Sequence, residues 1–423
     1  MAIDGDRPRR VEGLRAIETV TDAPSYRRLF AVEGIPRLVA SMLIARTASQ
    51  MVALVLVLFA LDRYGSAAIA GTVTFLSVAP GLVVSPIAGA LLDRYGRTRL
   101  VIADYIVAAA ALGLIALLAA LDRLPVPVLL AIVTVASLTF PLSTVGIRTL
   151  FPLIVPRPLW ERANAIDSNG YVLSSVVGPA LAGTLVATLG GELALATTAA
   201  IFGLAAVVTI GLRDPATRRS QGRLLADAGP GVVYVARNPT LRGLALSVST
   251  ANVGWGLFFI ALPVLVIERL GQGPAAVGQL FALLGIAGSL SVLAVGRIPS
   301  AGRERPLLAV SMLGIGIGIA AIVLFPHPLT VALAMLAIGV ANGPFDVVLF
   351  TLRQRRTDPA WLGRAFAVSM ALNFAGFPVG AALSGSVIPI SLEAALVAAV
   401  ALEAAAALLV FASIPRGEQP EFA

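Results

Sequence analysis

The chain has no cysteine and no lysine, and His327 is its only histidine. Each absence removes a chemistry. Without cysteine there are no disulfides, no thiolate nucleophile and no Cys/His zinc site. Without lysine there is no P-loop lysine to reach a nucleotide phosphate and no Schiff base. His327 stands in Phe325-Pro326-His327-Pro328, which reads as a solvated loop, so a Ser-His-Asp triad has little to draw on. Charge is also scarce, at 13% of residues against the roughly 25% usual in soluble domains. No catalytic cluster, metal site or cofactor motif emerges, and an enzyme is not expected.

Apolar residues make up 58% of the chain and the mean hydropathy is +0.92. A helix needs about 20 apolar residues to cross a hydrocarbon core roughly 30 Å thick. Segments of that kind fall at 36–61, 67–92, 100–121, 126–147, 165–189, 193–212, 243–267, 275–296, 306–325, 328–351, 364–388 and 391–413. The expected fold is therefore an all-α integral membrane protein of 12 transmembrane helices. Residues 1–35 are polar and arginine-rich without the short apolar core of a cleaved signal peptide, which predicts a cytoplasmic N-terminal tail.

Arginine placement tests that count. With the N-terminus inside, 27 of the 31 arginines fall in cytoplasmic tails, loops or helix ends. Arg63, Arg123 and Arg269 fall outside, and Arg46 lies within a span. One helix more or fewer in the middle would move every later loop across the bilayer and destroy this bias. Both termini are thus expected in the cytoplasm. The same scatter over short loops, rather than a basic face with stacking aromatics, argues against nucleic-acid binding despite a pI near 10.8. A basic set made only of arginine, with abundant alanine, points to a GC-rich bacterial genome and hence to a bacterial plasma membrane.

The chain repeats itself at a shift slightly above 200 residues. Asp62-Arg63-Tyr64-Gly65 recurs as Glu268-Arg269-Leu270-Gly271, Gly96-Arg97-Thr98-Arg99 as Gly302-Arg303-Glu304-Arg305, and Pro158-Leu159-Trp160 as Pro359-Ala360-Trp361. Pro141 and Pro179 correspond to Pro344 and Pro378. The expected organisation is an N-terminal tail (1–35), a six-helix bundle (36–212), a linker (213–242), a second six-helix bundle (243–413) and a tail (414–423). Parallel repeats of this kind place a substrate near the midplane between them. Within the linker, Leu224 to Arg237 mixes apolar and charged residues as a surface-lying helix would.

Between the second and third spans the chain reads Gly89-Ala90-Leu91-Leu92-Asp93-Arg94-Tyr95-Gly96-Arg97-Thr98-Arg99. This resembles the signature loop of the major facilitator superfamily, G-x-L-x-D-R-x-G-R-[RK], with Thr98 in place of the usual base and Arg99 next to it. The resemblance implies an alternating-access secondary transporter whose loop acts as a conformational latch, with Gly89, Asp93, Arg94, Gly96, Arg97 and Arg99 as its residues. Gly178-Pro179-Ala180-Leu181-Ala182-Gly183 resembles the G-P-x-x-G-G element of the superfamily's antiporters, though Ala182 replaces a glycine. The stretch from Pro141 to Ala165 is similar to the macrolide-efflux and siderophore-exporter branch. The fourth span lacks the R-x-x-x-G pattern of many proton-coupled relatives, so proton coupling is an implication of the resemblance only.

Ionisable residues inside a span cost at least about 2.5–3.5 kcal/mol and mark function by default. Arg46, Asp346 and Glu403 stand out. Since the family architecture brings the first and tenth helices to the central cavity, an Arg46–Asp346 pair is expected there, opening to let the acid take a proton. Glu403 lies mid-span in the twelfth helix, peripheral by the same analogy. Asp167 is expected to cap the fifth helix and Asp104 to join the latch. The cavity is expected to be mostly apolar, with Gln50, Asn169, Asn252, Trp255, Asn342 and Asn373 as polar or stacking groups. The leading expectation is a monomeric, proton-driven exporter of a hydrophobic or amphipathic small molecule such as a drug, siderophore or secondary metabolite. A nutrient importer or facilitator, or a lipid flippase, is the alternative.

Overall fold

The computed structural model describes residues 25–212, 224–295, 302–358 and 361–416. The described chain is helical: α1 (Tyr26–Phe30), α2 (Ile35–Tyr64), α3 (Ala67–Tyr95), α4 (Arg97–Ala120), α5 (Val126–Ile154), α6 (Trp160–Leu189), α7 (Gly191–Thr209), α8 (Leu224–Arg237), α9 (Pro239–Val264), α10 (Pro274–Val295), α11 (Glu304–Leu324), α12 (Pro328–Arg355), α13 (Leu362–Phe374), α14 (Gly376–Val387) and α15 (Leu392–Ser413). Twelve spans are long and apolar enough to cross a bilayer, the eleventh being α13 and α14 joined at Ala375. An even number of spans puts Tyr26 and Arg416 on one face, here the near face, and the α2–α3 turn on the far face.

The repeated motifs fold alike for a backbone reason. Gly65 and Gly271 end the first and seventh spans with φ of 56° and 63°, and Gly96 and Gly302 take φ of 93° and 75°. A side chain is strained in that region, so glycine recurs at each turn. The arginine before each far-face turn is neutralised similarly: Arg63 reaches Asp122 (3.0 Å) and Glu192 (3.4 Å), and Arg269 reaches Glu393 (2.9 Å). Each half thereby clips the end of its first span to the start of its sixth. Two of the three arginines expected on the far face are these clips.

The halves meet along two seams, α6 against α10 and α3 against α14. In the far half of each seam the approach is backbone to backbone, as small residues permit in a membrane. A Cβ on Gly183 would stand 2.6 Å from the Pro274 carbonyl and 2.8 Å from the Gly278 Cα, and one on Gly385 would stand 2.8 Å from the Ala68 Cα. The two halves are therefore in close contact along the far part of both seams.

The linker helix forms over the expected residues, but it docks on protein. Tyr234 stacks on Trp361 with centroids 5.2 Å apart, its hydroxyl accepts from the Asp358 N–H (3.0 Å), and Val235 packs with Leu241 and Ala365. Other differences follow from how hydropathy reads a helix. The fourth span runs to Ile154, seven residues past the expected 147, because helix does not stop where the first arginine appears. The seventh ends in a π-turn, Leu265–Arg269.

Candidate transport site

Arg46 sits about 16 Å along α2 from Ile35, at 1.5 Å per residue. Its Nη2 donates to the Asp167 side chain at 2.5 Å and its Nη1 to the Asp167 carbonyl at 2.7 Å. The expected Arg46–Asp346 pair is not formed. Asp167 lies seven residues inside α6, too deep to cap a helix that begins at Trp160, and deep enough to meet Arg46. The guanidinium carbon of Arg46 stands 4.9 Å from the Tyr171 ring centre and that of Arg148, on α5, stands 5.5 Å from it. Gly170 keeps this packing close, since a Cβ there would lie 3.4 Å from Arg46 Nη1. Arg148, Phe151, Asn164 and Asp167 line an opening in the near half.

Asp346, on α12, is half-buried and has no ion pair among the described residues. A second polar node lies in the same half. Asn252 Nδ2 donates to the Val248 carbonyl (3.0 Å) and to the Asn373 carbonyl (3.1 Å). With the Asn373 amide turned so that its nitrogen faces an acceptor and its oxygen a donor, the nitrogen donates to the Ser369 carbonyl at 3.1 Å and the oxygen accepts from the Arg353 guanidinium. Arg353 is fully buried and also donates to Met370 Sδ at 2.6 Å. Both nodes tie a first-type span to a fifth-type span through a main-chain carbonyl, and the donor and acceptor are 121 residues apart in each. One half uses an arginine and an aspartate for this, the other two asparagines and an arginine from the tenth span.

The remaining expected cavity groups divide. Asn373 is only 2% exposed, so its amide is structural in this state. Gln50 is half-buried beside Gly178, Asn342 is half-buried on α12, and Asn169 is exposed on α6. Trp255 is half-buried against Phe258, with ring centres 5.5 Å apart.

The signature loop makes these contacts among the described residues. Gly96 makes the turn, Arg97 Nε donates to Thr149 Oγ1 at 3.1 Å, and Arg94 lies over the Tyr95 ring at 5.4 Å. Arg99 is exposed, and Gly89 and Asp93 lie in α3 with the Asp93 side chain outside the described residues. Asp104 does not join this loop: it is buried at 3% exposure within reach of the Ser143 and Thr139 hydroxyls of α5. In the antiporter-like element, Gly178 packs against Thr47 and Gln50 of α2, while Pro179 and Gly183 pack against Gly278 of α10. Its small residues therefore join the first span and the other half at once. Glu403 is 1% exposed in α15, faces Gly316 of α11, and its Oε2 has no hydrogen-bond partner. That burial keeps its carboxyl from snorkelling to the membrane surface.

Three site residues, Arg148, Tyr171 and Arg353, do not stand out in the sequence. Arg148 and Arg353 read there as loop or helix-end arginines because the apolar windows stop near them. Helix continuing past both is what places them inside.

A family model for the Major Facilitator Superfamily matches residues 38–381. The chain belongs to this superfamily. A superfamily transporter of Sinorhizobium fredii, y4rN, is 40% identical over 94% of this chain and 98% of its own length. The multidrug efflux pump Tap of Mycolicibacterium fortuitum is 27% identical over 77% of this chain and 82% of its own. The enterobactin exporter EntS of Escherichia coli is 27% identical over 72% of each chain. Among solved structures, a point mutant of the nucleoside transporter NupG superposes with a TM-score of 0.74 at 11% identity, covering 90% of this chain and 99% of that one. A point mutant of the peptide transporter POT, in complex with sulfate, gives 0.72 at 14% identity over 90% of this chain and 94% of that one. Those two likenesses establish the superfamily fold of two parallel six-helix repeats. The protein is a multi-pass membrane transporter of small molecules.

Proposed function

We propose that this superfamily member exports an amphipathic small molecule from a bacterial cell by proton-coupled alternating access, with both termini in the cytoplasm. In this reading residues 36–212 and 243–413 rock about the site and 213–242 links them. The observation that carries it is the close backbone contact between the halves in the far part of both seams, together with an opening in the near half that reaches Arg148 and the Arg46–Asp167 pair. A carrier in that state loads from the near side. The names of relatives such as Tap and EntS support the outward direction, and the Gly178–Gly183 element at the α6–α10 seam supports an antiporter.

Arg46 and Asp167 replace Arg46 and Asp346 as the ion pair that substrate or proton binding would disturb. Asp346, which has no ion pair among the described residues, is the carboxylate assigned to carry the proton. Asp346→Asn is expected to abolish transport driven by a proton gradient in proteoliposomes while leaving substrate binding intact; unaltered transport would sink that assignment. The signature loop, with Gly89, Asp93, Arg94, Gly96, Arg97 and Arg99, would change its partners as the halves rock. Direction is tested in cells. Deletion of the gene should lower secretion of the cargo or raise susceptibility to it, whereas a fall in uptake of a labelled nutrient would reverse the reading to import.

A further inference from the structure

Among the described residues, the near-half opening carries one arginine that has no ion pair. Arg148 lies six residues before the end of α5, about 9 Å inside at 1.5 Å per residue. It lines the opening with Phe151, Asn164 and Asp167, its guanidinium packs on Tyr171, and it has no ion pair among the described residues. Asp167, the carboxylate beside it, is engaged through both its side chain and its carbonyl by Arg46. Asp346, in the opposite half, pairs with neither arginine. Arg46 and Arg148 thus pack on the same Tyr171 ring beside one carboxylate, which Arg46 already engages, while Arg148 is exposed to the opening. Such a charge is tolerated where a ligand completes it.

We propose that this opening binds an oxyanion carried on an aromatic or apolar body. Arg148 receives the acidic group through the planar fork that suits carboxylate and phosphate, and Phe151 and Tyr171 receive the body. This rests on the exporter reading and narrows its cargo from any amphipathic molecule to a monoanionic one. A lipid phosphate shares the same chemistry.

The test uses the full chain in phosphatidylcholine nanodiscs with two matched probes, 1-naphthoate and the neutral 1-naphthamide, titrated by calorimetry. A charge-assisted contact predicts naphthoate binding about tenfold tighter than the amide. Arg148→Gln should erase the difference, Arg148→Lys should keep part of it, and Asp167→Asn, which frees Arg46, should tighten naphthoate severalfold. Arg157→Gln, an exposed arginine resting on Trp160, should change nothing. Equal affinity for the two probes, no measurable binding of naphthoate, or a preference that survives Arg148→Gln in a protein of unchanged melting temperature would each overturn the proposal. If phosphatidylglycerol in the nanodisc abolishes naphthoate binding, the opening is a lipid headgroup site and the cargo assignment falls. None of these results touches the exporter reading, which is decided by secretion and susceptibility in cells.

Discussion

Arg46 is held by one residue through two bonds, yet its side chain and that of Asp167 keep 15% and 21% of their exposure. Water at both ends screens the pair, so losing one partner should cost about 1–2 kcal/mol, below the roughly 3–5 kcal/mol of a fully enclosed pair. Asp167→Ala is therefore expected to lower the melting temperature of the purified protein by a few degrees. The charge swap Arg46→Asp with Asp167→Arg should recover most of the loss. Glu403 presents the opposite case. Its Oε2 is buried with no partner, so the carboxyl contributes little to holding α15 in place. Glu403→Gln is expected to melt no lower than the parent, because a neutral amide is cheaper to bury and no bond at Oε2 is lost. A large drop in melting temperature would show that the carboxylate itself is bonded. Arg353, fully buried against Met370 and Asn373, should be the least tolerant of the three positions.

At the scale of helices, the seams between halves depend on residues without side chains. The α6–α10 approach at Gly183 and Gly278 leaves no room for a Cβ, and no flexible side chain stands there to yield. Gly183→Leu should therefore pry the far half open. The protein offers a clean reporter, since its background is free of cysteine. Ala68→Cys, packed against Gly385 in the parent, should become reactive to a membrane-impermeant maleimide when Gly183→Leu is added. Continued protection would show that the seam opens elsewhere. The linker helix is an element of a different kind. Its Tyr234–Trp361 stack and its bond to the α12–α13 connection fasten it to the second half, and it also touches α3 of the first.

For the whole molecule, twelve spans place Tyr26 and Arg416 on one face, and the proposed orientation, which follows the arginine bias, makes that face cytoplasmic. The assignment is open to direct measurement. In intact cells Asp122→Cys, at the far-face turn between α4 and α5, should label with impermeant maleimide, and Ser25→Cys should label only after lysis. The reverse pattern would invert the molecule and with it the direction of export. The far-face salt bridges of Arg63 and Arg269 also explain how two arginines remain on the side the bias disfavours: each is neutralised by acidic groups of its own half.

The number of spans, the repeat and the superfamily loop are legible in the residues alone. They depend on hydrocarbon thickness, on the cost of moving arginine across a bilayer and on glycine at positive φ, all of which act locally along the chain. Partnership is not legible there. Arg46 belongs to Asp167 and not to Asp346, Asn373 braces Arg353 instead of facing a cavity, and Arg148 lines the opening although its apolar window ends beside it. Which side chains meet is decided by the rotation of each helix about its axis and by how far it continues past its apolar window. Hydropathy averages over both, and only the packing of α2, α5 and α6 against one another resolves them.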